Sequence, residues 1–286
     1  MIVGISRFFA GWPCIFCSPL SDRIKGAISV TDSLNPALSD ALLICDQDDD
    51  ARFGNLFNDE SDNLLPLRGV PKQPLFRELA RRLEIWSQNT ASSTLLSNEV
   101  PANPLTPAST LNLTEEERPP LPPLMTTNVC DWFEKAGNDG VLHLLGMRKT
   151  VGTDERGLLP PSWTSLIEAA NQIHKAKLTV AARARSKHAH RGTNSFFGIS
   201  KGSAENQNRD AEQLVLKLLE EAIWINIHTF GGMEGQPVLE IRVESGYGAR
   251  WTAECINGDR ILKNVMFRGF LEPQMEDGHE VKWRHG

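Results

Sequence analysis

Apolar residues recur at every second position in several stretches near the C-terminus. In IWINIHTF, Ile223, Ile225 and Ile227 alternate with Trp224, Asn226 and His228. In PVLEIRVE, Leu239, Ile241 and Val243 alternate with Glu240, Arg242 and Glu244. Successive strand side chains point to opposite faces, so this period predicts strands with one buried face. GGMEGQP between the two runs fits an antiparallel hairpin, and YGARWTAE and VMFRGFLE supply two more strands across Asn257-Gly258.

Upstream the period changes to that of a helix. After Pro160-Pro161, Ser162 is placed to cap, and Trp163, Leu166, Ile167, Ala170, Ile173, Lys177, Leu178, Ala181 and Ala184 form a stripe that Gly192 ends. This predicts one helix approaching roughly thirty residues. RDAEQLVLKLLEEA is a second helix, with Leu214, Leu218 and Ala222 on one face. The expected fold class is α+β: two long helices on one face of a roughly four-stranded antiparallel sheet, which bury the isoleucines and leave the other face available.

The rest of the chain divides by composition. Residues 1–70 are expected to be acidic and largely disordered, because residues 22–66 carry ten acids against three bases and hold no sustained period. Residues 71–90 contain LFRELARRLEIWSQ, an amphipathic helix with Leu75, Leu79, Leu83, Phe76 and Trp86 on its apolar face. Such a helix is marginal alone, so its stripe is expected to dock on the folded domain in preference to another protein. Residues 91–125 form a proline-rich linker ending in EEERPPLPPLM, and 126–286 form the folded domain. The Pro119-to-Pro122 and Pro120-to-Pro123 spacings match a minimal groove-binding core, but any proline-rich spacer produces them.

Charge narrows the partners. The net charge of −6 belongs to the N-terminal region, since from Thr126 onward twenty acids balance twenty bases. That balance does not favour nucleic acid or an anionic membrane, although a local basic patch remains open. Five scattered cysteines make no disulfide framework, and Cys14-x-x-Cys17 lacks a second pair for zinc. A reducing compartment, cytoplasmic or nuclear, is expected; the acid-free opening before Asp22 also admits an organelle-targeting segment. Asn112-Leu113-Thr114 would be a glycosylation acceptor only in a secreted chain.

The candidate chemistry sits on the second sheet face, where Asn226, His228, Glu240, Arg242, Arg250 and Arg268 fall on neighbouring strands. Three arginines there would suit a phosphate, a carboxylate ligand or an acidic peptide; the bland alternative is a solvated face where glutamates pair the arginines. The leading expectation is therefore a non-enzymatic binding or adaptor protein with an anion-receptive face and an unidentified protein or anionic partner. One alternative is an acid/base enzyme of hydrolase type, acting on an anionic substrate with His228 or His279 as proton carrier and Glu240 or Glu280 as orienting carboxylate. In it, histidine and glutamate should lie within about 3 Å beneath a concavity. A second alternative is RNA binding through the basic run Arg183, Arg185, Lys187, His188, His190 and Arg191. No cofactor or metal is expected, because His279 and His285 lack helical metal-ligand spacing and no phosphate loop opens a helix. Tyr247, the single tyrosine, reads as a turn residue bonding backbone.

Overall fold

The computed structural model describes residues 19–53, 65–96, 103–116, 118–122, 128–175, 177–189, 195–229 and 235–274. Within them the α+β expectation holds. The sheet order is β3-β4-β5-β6, all antiparallel, with β3 at Trp224–Thr229, β4 at Pro237–Arg242, β5 at Gly248–Glu254 and β6 at Lys263–Leu271. Ile225, Ile227, Leu239, Ile241, Ala249, Trp251, Phe267 and Phe270 share one buried cluster with the helices. The Trp251 indole reaches through this layer to donate to Leu166 O at 3.1 Å, which satisfies a polar atom in an otherwise apolar interface.

The long helix expected after Ser162 is divided. Ser162 does cap, accepting from Ser165 N, but α6 ends at Asn171 (Trp163–Asn171). Ile173–Lys175 and Leu178–Thr179 then pair as β1 and β2, with Lys177 at φ 67°. Thr179 accepts from Ala182 N and opens α7, Val180–His188. Two features defeat the periodic reading. Ile173 continues the stripe in sequence yet is 66% exposed, and the Thr179 hydroxyl caps more effectively than a β-branched residue serves mid-helix. α8 follows at Ala204–Glu221, capped by Ser203, and buries Leu214, Val215, Leu218 and Leu219.

Order also reaches further toward the N-terminus than composition predicts. Residues 20–53, expected to be part of a largely disordered region, hold α1 (Leu20–Val30), α2 (Pro36–Leu43) and α3 (Asp49–Phe53). Ile24, Ala27 and Ile28, then Leu38, Ala41 and Leu42, repeat an i, i+3, i+4 spacing and are buried. The acidic run supplies a structural anion as well. Asp49 is fully buried, and its carboxylate accepts from Gln73 N, Trp163 N and Thr164 N, so it sits on the free amides at the start of α6.

The amphipathic helix, α4 at Leu75–Leu96, docks on this chain as expected, against α1, α2 and α5 (Val129–Leu144). The region read as a linker is partly built into the core. Leu121 is buried, and the indoles of Trp86 and Trp132 both donate to Pro122 O, at 3.2 and 2.9 Å. Those anchors tie down the proline-rich stretch that a free groove-binding motif would need; Pro123, Cys14 and Cys17 lie outside the described residues.

Arg82 joins these layers from α4. It is 1% exposed, pairs with the Glu78 carboxylate one turn back, and donates to Gly69 O at 2.7 Å and Arg68 O at 3.2 Å. Burial pushes the Glu78 carboxyl up, but Arg81 and Arg82 outweigh it and bring its pKa down to about 2. A depressed carboxyl stabilises the fold above its unfolded value, near 4.5, and loses that contribution as pH falls toward 2. We predict that Arg82→Met lowers unfolding free energy by about 3–5 kcal/mol at neutral pH, because it leaves the buried Glu78 carboxylate with Arg81 alone and takes the donor from the Arg68 and Gly69 carbonyls. Urea denaturation at pH 7 and pH 3 checks this: the deficit should shrink at the lower pH, and an equal deficit at both would contradict the assignment.

Candidate functional site

The sheet register sets side chains of the second face in rows. Asn226 faces Glu240, Glu240 faces Arg250 and Arg250 faces Gly269; in the next row His228, Val238, Thr252 and Met266 align. Trp224, Arg242, Gly248 and Leu271 form a third row. Glu240 therefore sits in the middle of the face, one strand from both the imidazole and a guanidinium.

Glu240 binds both of its arginine neighbours. Arg242 Nε donates to Oε1 at 2.7 Å, while Arg250 donates to Oε2 from Nη2 at 2.6 Å and from Nε at 3.1 Å. Arg242 spends its remaining reach on backbone, donating from Nη1 to Gly246 O at 2.8 Å and Glu272 O at 3.0 Å. Gly248 makes room for it: a Cβ there would sit 2.0 Å from Ile241 O and 3.0 Å from Arg242 Cγ. The side chains of Glu240 and Arg242 are each 5% exposed, whereas that of Arg250 is 31% exposed and is the one guanidinium of the pair open to a ligand.

Two arginines on one carboxylate leave an excess positive charge beside His228. The His228 Nε2 lies 3.8 Å from Glu240 Oε2, longer than the about 3 Å expected of an orienting hydrogen bond. Burial pushes the imidazole below its ordinary pKa; Glu240 pulls it up, and Arg250 and Arg242 push it further down. Burial also works to raise the Glu240 carboxyl, but Arg242 and Arg250 hold it below the usual carboxylate range. At neutral pH the site thus presents a neutral imidazole, an ionised carboxylate and two cations.

Asn226 is positioned by the chain that fences the β3 edge. Met147 pairs with Ile225 and Thr153 with His228, and Arg148 N donates to Ile225 O at 2.7 Å, which removes an open sheet edge. From that segment Thr153 Oγ1 donates to Asn226 Oδ1 at 2.9 Å, and Asn226 Nδ2 donates to Thr150 Oγ1 at 2.8 Å. Two cavities, of about 380 and 450 Å³, lie beside this edge and near the β5–β6 turn; neither is lined by His228, Glu240, Arg242 or Arg250.

Four of the six expected face residues, Asn226, His228, Glu240 and Arg242, are buried, and Arg250 joins them through Glu240. The solvated outer face is thereby corrected: the glutamate does pair arginines, but out of water. Arg268 stays apart. It is the extra residue where Trp251 pairs with Phe267 and Arg250 with Gly269, and it is exposed. His279 and Glu280 lie outside the described residues, as does Arg191. The basic helix end is also sorted by burial. Arg185 is a structural residue, donating to Phe197 O at 2.7 Å and pairing with Asp210, whereas Arg183 and Lys187 are exposed. Tyr247 stacks on Phe196 with centroids 4.0 Å apart and meets Phe197 edge-on at 5.2 Å. Thr252, not among the expected face residues, also lies on this face, and its buried hydroxyl has no partner among the described residues. Its period-two offset from Arg250 already placed it on this face.

Residues 167–272 match a family model described as the CdiA C-terminal tRNase toxin domain. The matched span is a little over a third of the chain and runs from within α6 to just past β6. No curated protein and no solved structure matches. This match overturns the expectation of a non-enzymatic adaptor defined by protein binding: the family it resembles is a nuclease toxin. The match is consistent with nucleic acid as a possible partner. Among the described residues no helix is long and apolar enough to cross a membrane, and no group of three or more His, Cys, Asp or Glu could hold a metal ion.

The electrostatics of the cluster predict a coupled titration. Replacing Glu240→Gln removes a carboxylate that raises the His228 pKa and leaves both guanidiniums, so the imidazole should titrate lower still. Proton-detected titration of the His228 ring in both proteins measures this. An unchanged or raised pKa in the variant would contradict the described arrangement.

Proposed function

We propose that residues 167–272 form a ribonuclease unit that cleaves tRNA, with the second sheet face as its active site. The observation that carries this reading is the placement of the family match: the stretch resembling a tRNase toxin domain is the one that supplies His228, Glu240, Arg242 and Arg250. The chemistry of these groups supports it. RNA differs from DNA by a 2′-hydroxyl next to each phosphate, so a base that takes that proton turns the hydroxyl into a nucleophile. His228, neutral at pH 7, fills that role. The 2′-oxygen then bonds to phosphorus, the bond from phosphorus to the 5′-oxygen breaks, and the 5′-oxygen leaves with a proton from water. The products are a 2′,3′-cyclic phosphate and a 5′-hydroxyl.

Charge builds on the phosphate oxygens as this happens. Arg250, the more exposed guanidinium, would stabilise it, held by its two bonds to Glu240 Oε2 while Arg242 braces the other carboxylate oxygen. Glu240 also holds the cluster at one net positive charge with His228 neutral, enough to attract a phosphate without expelling the imidazole from its buried position.

Purified protein incubated with total tRNA should yield fragments ending in cyclic phosphate. His228→Ala should lower the rate by about 10²–10⁴-fold with the fold retained, the usual scale for a positioned proton carrier. Because the base acts when deprotonated and its pKa is depressed, the wild-type rate should stay on its plateau below pH 6.5 before falling. Intact tRNA after prolonged incubation, or an undiminished rate in His228→Ala, would sink this reading.

A further inference from the structure

α7 carries Arg183, Arg185 and Lys187 and no acid in its nine residues. The acids nearest its end are already taken. Asp210 pairs with Arg185 at 3.4 Å, and the Glu272 carboxylate is hydrogen-bonded to His188 Nδ1 at 2.9 Å. Arg183 and Lys187, one helical turn apart on the exposed side, are left without an acidic partner among the described residues. Arg268 is in the same position on β6, the strand along which α7 packs.

These cations are connected to the site described above. Arg268 occupies the bulge beside Gly269, the residue that faces Arg250 across the β5–β6 pair. At the other end, His188 is tied to the Glu272 carboxylate, and the Glu272 carbonyl accepts from Arg242. Arg250, Arg268 and the α7 pair thus lie on adjoining elements, leading from the sheet face over the β6 edge to the helix end. The N-terminal region holds the chain's surplus of acids, so this edge is locally basic on an acidic protein. The spacing of cations along a helix suits a phosphodiester backbone, whose charge repeats along the strand, better than it suits one isolated anion.

We infer that Arg268, Arg183 and Lys187 form a track for the sugar–phosphate backbone of the substrate RNA, holding the strand beyond the scissile phosphate. The inference rests on the ribonuclease reading above. The track gives affinity and position without reading bases, so its loss weakens binding of long RNA and spares one that ends at the active site.

The full chain tests this with tRNA and with an RNA dinucleotide as substrates. Arg183→Gln with Lys187→Gln should raise KM for tRNA by about tenfold or more at low salt, with the loss appearing in KM and not in kcat. The slope of log KM against log salt should flatten by about 1.4–1.8, at roughly 0.7–0.9 per phosphate contact. Dinucleotide cleavage gives the second comparison, since its KM should be the same in variant and wild type. Lys25→Gln with Lys135→Gln, on α1 and α5, is the charge-matched control and should behave as wild type. Wild-type KM and salt slope in the α7 variant would overturn the track while leaving the ribonuclease reading intact. Absence of tRNA cleavage by the wild type would overturn both.

Discussion

Glu240 is held between Arg242 and Arg250 on the face of the sheet turned away from the helices. Removing Glu240 and Arg242 from water costs several kcal/mol per ion, and well-packed apolar residues of similar volume commonly do as well or better for stability. The network is therefore poorly explained as a device for folding. What it produces is a local field: one carboxylate kept ionised, one guanidinium left partly open, and an imidazole kept neutral by burial and by the surplus positive charge. Each of those states serves proton abstraction next to a phosphate, and the proposed ribonuclease activity draws on their combination across three adjacent rows of one sheet face.

The remainder of the molecule is arranged so that this cluster stays fixed. Gly248 lets the Arg242 side chain cross β5, Thr150 and Thr153 hold Asn226 from the segment that closes the β3 edge, and Trp251 anchors the opposite face to α6. α6 in turn begins on the Asp49 carboxylate. One buried cluster runs from Ile24 in α1 to Phe270 in β6, so the N-terminal helices, which lie outside the family match, support the same scaffold that carries the site.

Much of the sheet was legible because period two is a strong signal when both faces differ in polarity. Ile225, Ile227, Leu239 and Ile241 turn to the helices, and Asn226, His228, Glu240 and Arg242 turn away, as alternation requires. Alternation carries no information on whether a polar face is wet, and here it is buried. The division of α6 from α7 was hidden for a related reason. A helical stripe can run through Ile173 and Leu178 in sequence while Lys177 takes a left-handed conformation and Thr179 begins a new helix. Residues 20–53 were misread because acidic composition outweighed two short apolar repeats. Asp49 shows why composition misleads: one acid of the run is buried on helix amides. Function was least legible of all, since His228, Glu240 and Arg250 sit on three consecutive strands at spacings that match no short motif.

A structure of the full chain bound to tRNA whose 2′-oxygens are methylated, and which is thereby protected from attack, tests the central claim most directly. The account predicts one phosphate within hydrogen-bond reach of the Arg250 guanidinium, with the adjacent 2′-oxygen about 3 Å from a His228 ring nitrogen. RNA seated elsewhere on the protein, with no phosphate at Arg250, would contradict it.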